Sequence, residues 1–359
     1  MNYGFLAHLS LIATTCLASV AQSEEVIVRD SAALKTAIRN IKPGQVIKLA
    51  PGVYSGNNYV VNAERVTFEA LDPTNKPLIQ GGTTAMQLVR CNYATLRNLK
   101  IKGQTDNGLN LDDGGPTKGR VVGITIENVE VSDIGPAGNL DGIKCSGLDQ
   151  LTIRNCSVNG WGGDGIDMVG CHTVLITGCT FTAKTGFTQT TGVQVKGGSS
   201  DVIIENSQFT NVTERPINVG GRTDTNLFRP LGAVYEATRV TVRGNTISGG
   251  VCATAFVGVD GAEFSNNTIL FPTKWIFRIL NENTATTFVP TRNVLIKNNK
   301  IVFMRANIVV DINIGSKTEP KTFRFEGNQW YAQDKPWLSK PTLPTVEIGG
   351  IYGIDPRTN

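Results

Sequence analysis

Histidine is almost missing from this 359-residue chain, which has two, and only His172 lies beyond the first 23 positions. A Ser-His-Asp site would have to use that one residue, which follows Cys171 in a turn-like stretch, and there is no GxSxG. Hydrolysis through such a nucleophile is therefore disfavoured. Acid–base chemistry falls instead to Lys, Arg, Tyr, Asp or Glu. The later cysteines, Cys91, Cys145, Cys156, Cys171, Cys179 and Cys252, form no CxxC pair, which argues against a zinc site. Aromatic residues make up 7% and charged residues 18%, against 39 glycines, a balance that suits many tight turns and few exposed helices. Long apolar runs are missing too. The run Leu9–Val20 is too short to span a bilayer and no later segment approaches that length, so no membrane span is expected.

Residues 1–23 hold no Lys, Arg, Asp or Glu, and Ser19-Val20-Ala21 has the small residues of a cleavage site. These features predict a secretory signal peptide over 1–21 and a protein that is secreted or periplasmic. The remainder, 22–359, is expected to form one domain. The net charge of +4 favours anionic partners. No clustered basic-aromatic stripe points to nucleic acid.

What is present is repetition. LDGIKCSG (140–147), GDGIDMVG (163–170) and TTGVQVKG (190–197) repeat one pattern, with RPINVGGR (215–222) as a looser copy. A second phrase, V/I-x-I/F followed after four intervening residues by another apolar residue, begins at Val66, Ala94, Ile124, Leu151, Val174, Val202, Val240, Ala262, Val294 and Thr322. Its intervals of roughly 22 to 38 residues mark a solenoid. A propeller blade needs four strands, more than this repeat can hold. The expected fold is all-β, a right-handed parallel β-helix of about ten or more rungs, each leaning on its neighbours. DSAALKTAIRNI (30–41) reads as an amphipathic helix capping the open core, with Asp30 or Ser31 as N-cap. The Pro-rich stretch 336–359 reads as an irregular C-terminal cap. Rungs about 4.8 Å apart would place equivalent residues in columns. Cys156 and Cys179 fall in one such column, as a disulfide or as stacked buried thiols.

Period-two alternation assigns the columns. Leu109, Ile143, Ile166, Val193, Ile217, Val257, Phe277 and Val310 are expected inside, as are Leu111, Cys145, Met168, Val195, Val219, Val259, Ile279 and Ile312 two residues on. Between them an outward column reads Gln87, Asn110, Lys144, Asp167, Gln194, Asn218, Gly258, Arg278 and Asp311. Gly108, Gly142, Gly165 and Gly192 suggest a trough where a ligand meets backbone. Asp112, Ser146, Val169 and Lys196 form the next outward column, and the long excursions 112–123, 220–239 and 280–293 leave from this end. Loops on a rigid scaffold are where function concentrates. Asp141 and Asp164 share a strand-start position and read first as turn caps. His172 reads as a surface or turn residue.

SAALKTAIRNIKPGQVIKLAPGVYSG near the start, and VQVKGGSSDVIIENSQF followed by PINVGGR, resemble polysaccharide lyase family six, the alginate lyase and chondroitinase B group. The resemblance implies a lyase acting on an anionic polysaccharide or oligosaccharide containing uronate. It places a lysine base at Lys196 and the arginine at Arg222, two residues past the closest aligned position, Gly220. The family's acidic calcium ligands would fall near Gln189 and Thr191, neither acidic; no cofactor is predicted, and calcium stays open only as what the resemblance implies. Removing the proton alpha to a uronate carboxylate requires a positive group to stabilise the enolate, together with a base and an acid. In this reading neighbouring Lys144, Arg215 or Arg222 lowers the Lys196 pKa. Arg222 is acid or charge neutraliser, and Asn110, Lys144, Asp167, Gln194, Arg215, Asn218 and Arg278 line sugar subsites. Two other readings stay open. A glycoside hydrolase would use a carboxylate pair from Asp141, Asp164 and Asp167, or from Asp112-Asp113. A secreted or envelope binding protein would hold glycan without turnover.

Overall fold

The computed structural model describes residues 24–358; the expected signal peptide lies outside them. The strands build three long parallel sheets of 13, 10 and 12 strands, and successive turns of the coil add a strand to each. This is the right-handed parallel β-helix that the repeats predict. Before the first turns sits the helix Ser31–Arg39, shorter than the expected 30–41. Asp30 is its N-cap, its carboxylate accepting from the Ala33 N–H at 2.8 Å. Leu34 and Ala37 are buried against the end of the core.

The 10-stranded sheet carries the candidate site. Its strands Leu109–Asp112, Ile143–Ser146, Asp164–Val169 and Thr191–Lys196 align as the pattern predicts: Leu109, Ile143, Ile166 and Val193 stack inward, with Leu111, Cys145, Met168 and Val195 beside them. The register changes between Gln194 and Val195, where Arg215–Gly220 pairs with Thr191–Lys196 through an irregularity that sets Val195 opposite Gly220. Such a shift re-aims side chains at a sheet position. Further along, the predicted columns slip. Thr254 stands between Ile217 and Phe277 where Val257 was expected, and Ala255 takes the outward place assigned to Gly258. Phe277 pairs with Ile312, so Val310 is exposed and Asn313 replaces Asp311 in the outward column. All four residues of Thr254–Val257 are buried, because Trp275 and Leu280 pack over the outer face. Alternation fails where both faces are covered. In the 13-stranded sheet Phe323, not Thr322, continues the column from Val294, since Leu295 pairs with Arg324.

The glycine column also differs from expectation. A Cβ on Gly165 would lie 2.9 Å from Phe181, and one on Gly192 2.7 Å from Phe209; Gly108 and Gly142 press on Val131 and Val158. These glycines admit core side chains under the strand starts and do not floor a trough. The Phe181 and Phe209 rings stack at 4.7 Å beneath them.

The corner after the 13-stranded sheet is stitched by asparagines. Asn245 donates to Asn267, Asn267 to Asn299 and Asn299 to Asn328, at 3.0, 3.1 and 2.8 Å. Asn328 in turn donates to Glu347 at 2.7 Å, which also accepts from Trp330 and Tyr352. Burial and Glu347 push the Tyr352 hydroxyl up to about 12. The expected irregular C-terminal cap therefore contains a strand, Ile351–Tyr352, paired with Gln329–Ala332. Cys156 and Cys179 are buried free thiols, each accepted by backbone carbonyls.

Candidate active site

Asp164 and Asp167 of one strand, with Asp141 just before the neighbouring strand Ile143–Ser146, meet two lysines on the outer face of the 10-stranded sheet. Register sets Lys144, Asp167 and Gln194 side by side, with Val169 beside Lys196. Lys144 Nζ donates to Asp141 Oδ2 and Asp167 Oδ2, both at 2.8 Å. Lys196 Nζ lies 2.9 Å from Asp167 Oδ1 and 3.8 Å from Asp164 Oδ2. With its nitrogen facing the carboxylate, Gln194 donates to Asp164 at 3.1 and 3.2 Å and accepts from Lys196 at 3.2 Å. Asp141 is fully buried and accepts from the Asp164 N–H at 3.0 Å, a bond between neighbouring rungs and not the local turn cap that its place at a strand start suggested.

Burial and position split the protonation of these groups. Burial, reinforced by Asp167, pushes the Asp164 carboxyl up to about 8. Burial acts on Asp167 in the same direction, but Lys196 and Lys144 outweigh it and hold that carboxyl below its ordinary value. Lys196 is the mirror case. Burial opposes its charge, yet Asp167 and Asp164 win and raise its pKa. The expectation that neighbouring cations lower the Lys196 pKa is thus overturned, because its nearest charges are carboxylates. At neutral pH Lys196 is an ammonium and a proton donor. Lys144 is also held charged, Asp167 and Asp141 outweighing its burial.

These groups line a bent trough. One arm, of about 510 Å3, runs past Asn110, Asp112, Lys144, Asp167, Arg222 and Asp224. The other, of about 520 Å3, runs past Asp164, Gln194, Arg215, Asn218 and Glu282. Asn139, Lys196 and Arg222 border both arms. Arg222 is exposed at the bend and has no hydrogen-bond or ion-pair partner among the described residues. Arg278 is in the same outward column but three strands beyond Gln194, outside both arms. A groove on the 13-stranded sheet, lined by Lys48, Glu69, Arg97 and Glu127, is of similar size. Its Arg97 pairs with Glu69, and Glu127 with Arg154 2.9 Å away, which leaves little charge free for a ligand.

Two anchors hold the wall. The fully buried Glu236 accepts from the Gly197 N–H at 2.8 Å, the Thr223 N–H at 2.9 Å and the Thr223 hydroxyl at 2.8 Å. One carboxylate therefore pins the residues that follow both Lys196 and Arg222. Buried Arg229 makes two bonds to Asp113, at 2.9 and 2.7 Å, joining the 112–123 and 220–239 excursions. Asp113 is spent on that bond, so Asp112-Asp113 is no catalytic pair. His172, expected at the surface, is buried. It bonds Ser200 Oγ at 2.7 Å and the Arg229 carbonyl at 3.0 Å. The sequence reading missed Glu236, which has no motif around it; only its position after a long excursion sets it apart.

A calcium ion finds no carboxylate cage here. Gln189 is buried with its amide donating to the carbonyls of Lys184 and Phe187, and Thr191 is buried as well. Among the described residues no group of three or more His, Cys, Asp or Glu is arranged to hold a metal. Lysine ammoniums stand where a cation would balance the aspartates, so these residues do not fit a calcium ion.

No curated protein matches the sequence. Among solved structures, an alginate lyase from Paenibacillus sp. str. FPU-7 superposes with a TM-score of 0.56 at 18% identity, over 81% of this chain and 97% of that one. The mannuronan C-5 epimerase A-module of Azotobacter vinelandii gives 0.57 at 15% identity, over 90% and 95%. The catalytic unit of a GH87 alpha-1,3-glucanase from Streptomyces thermodiastaticus gives 0.63 at 15%, over 92% and 69%. These likenesses are of fold. Residues 51–329 match the family described as Right handed beta helix region, and the chain belongs to that family.

Proposed function

We propose that the protein is a glycan-active enzyme that cleaves a uronate-containing, anionic chain by β-elimination, and that it acts outside the cytoplasm. The observation that carries this reading is the charge at the bend: Lys196 is held protonated and Arg222 has no partner among the described residues. Cations placed at a reaction centre stabilise developing negative charge, as on an enolate, and oppose a developing oxocarbenium ion. Asp164, poised near 8, is the base; a general base works best with a pKa near the operating pH. In this scheme Asp164 takes the proton alpha to the uronate carboxylate while Arg222 neutralises that carboxylate. The electron pair forms the new double bond, the bond to the β oxygen breaks, and the Lys196 ammonium gives the leaving oxygen its proton. The structural neighbours that are a lyase and an epimerase act on uronate polymers by their names, which supports the choice of substrate class.

Hydrolysis is the second reading, favoured by the split between a protonated Asp164 and an ionised Asp167, the pattern of an acid beside a base. One titration separates the two. As a base, Asp164 makes kcat/KM rise with pH up to about 8; as an acid, it makes kcat/KM fall above about 8. Purified protein is to be assayed on alginate, pectate and chondroitin sulfate, following ultraviolet-absorbing unsaturated ends and reducing ends together. β-Elimination gives both signals, lost in Asp164→Asn and Lys196→Met. Reducing ends without ultraviolet absorption establish hydrolysis, and binding without either establishes a glycan-binding protein.

A further inference from the structure

Beyond the bend, the far arm of the trough leads to a second group of cations that the cleavage scheme does not use. Arg278 continues the outward column past Asn218 and Ala255, roughly 14 Å along the coil from Gln194. Its guanidinium lies 4.4 Å from the Trp275 ring centroid, and Lys274 Nζ lies 4.5 Å from the same ring. Stacking on an indole fixes an arginine without neutralising it. Its Nε donates to Asn313 at 3.0 Å, and among the described residues no carboxylate lies within ion-pair distance of Arg278 or Lys274. Burial and then the nearby Arg215 lower the Arg278 pKa from its ordinary value; Arg215 itself spends one nitrogen on Glu282 at 3.0 Å and leaves its Nε buried without a partner. Asn218, 2% exposed, has a buried Oδ1 with no partner. Buried polar groups are normally satisfied, so those left open beside a cleft need a partner from solvent, an ion or a ligand.

We propose that Arg278, Arg215 and Asn218 form a subsite for a second acidic sugar residue of the substrate. The arginines take its carboxylate or sulfate, and the Asn218 carbonyl accepts from a sugar hydroxyl. Arginine suits this task because its planar fork matches both oxyanions. Trp275 is the support for Arg278 and not a platform for the sugar, since two cations already lie against its ring. The assignment rests on the glycan reading and extends it: recognition needs charges at two places along the chain, one at Arg222 and one at Arg278.

The test is binding, measured by calorimetry on the Asp164→Asn protein so that turnover does not intervene. Probes are an acidic oligouronate, a sulfated oligosaccharide without uronate and a neutral oligosaccharide of similar length. Arg278→Gln in that background is expected to weaken binding of a charged probe at least tenfold and to lower its salt dependence, leaving the neutral probe unchanged. Which charged probe responds tells carboxylate from sulfate. Equal affinity of the two proteins for both charged probes overturns the subsite, provided circular dichroism shows both folded. If the wild type cleaves no glycan but the Arg278-dependent binding persists, the catalytic reading fails and the subsite stands. If uronate is cleaved without that dependence, the reverse holds.

Discussion

Asp164 binds its proton more tightly in the folded chain than in the unfolded one. The stability it contributes is therefore full below the ordinary carboxylate range and is lost as the pH climbs to about 8. Asp167 has the opposite sign: its lowered pKa adds stability above the ordinary range, which is lost as the pH falls. Asp164→Asn removes the first contribution alone. Its thermal midpoint is expected to match the wild type near pH 4 and to exceed it by several degrees at pH 8, with the gap constant above. A gap that does not widen between these values would mean that Asp164 is ionised in the fold. At this scale the sequence set Lys144, Asp167 and Gln194 side by side but gave Lys196 a lowered pKa where the fold raises it. Lys196 and Asp167 are 29 positions apart in the chain, and only their meeting at 2.9 Å makes one the other's counter-ion.

The strand Asp164–Val169 owes its position to what lies beneath it. Gly165 has no side chain because Phe181 and the Gly192 carbonyl fill that space, at 2.9 and 2.5 Å from an added Cβ. Gly165→Ala must push the strand start outward or displace the phenylalanine stack. An overpacking cost of about 1–3 kcal/mol in denaturant unfolding is expected, with loss of activity because Asp164 moves with the strand. The excursion on the other side of the trough is governed by Glu236. Glu236→Gln cannot accept as strongly from both Gly197 and Thr223. The expected result is a fall in kcat of roughly 10- to 100-fold, the size of effect of a small misplacement. The pH limb at about 8 should remain, since Asp164 is untouched. A variant whose limb moves would show that Glu236 acts on the charge of Asp164 instead of positioning the wall. These elements were half legible. The glycine column was plain in the sequence, but its meaning was inverted, because a missing side chain does not say which face has no room for one.

Across the whole coil, stability passes from rung to rung, as in other solenoids. The asparagine ladder is one path. Asn299 accepts from both the backbone and the side chain of Asn267 and donates to Phe264 and Asn328. Asn299→Ala leaves several buried donors and acceptors open, each worth about 1–3 kcal/mol. A loss of at least about 3 kcal/mol is expected in unfolding. Glycan cleavage by the protein that remains folded should be unchanged, because the ladder lies on another corner from the trough. The sequence by itself determined the coil: a repeated apolar phrase with period-two alternation can bury its inward face only by stacking on copies of itself. It also determined which residues of the central rungs face outward, from Asn110 through Lys144, Asp167 and Gln194 to Asn218. Only the tertiary structure decided their chemistry. The proton on Asp164, the charge on Lys196, the freedom of Arg222 and the open bonds of Asn218 depend on burial and on distances between rungs, which no local pattern encodes.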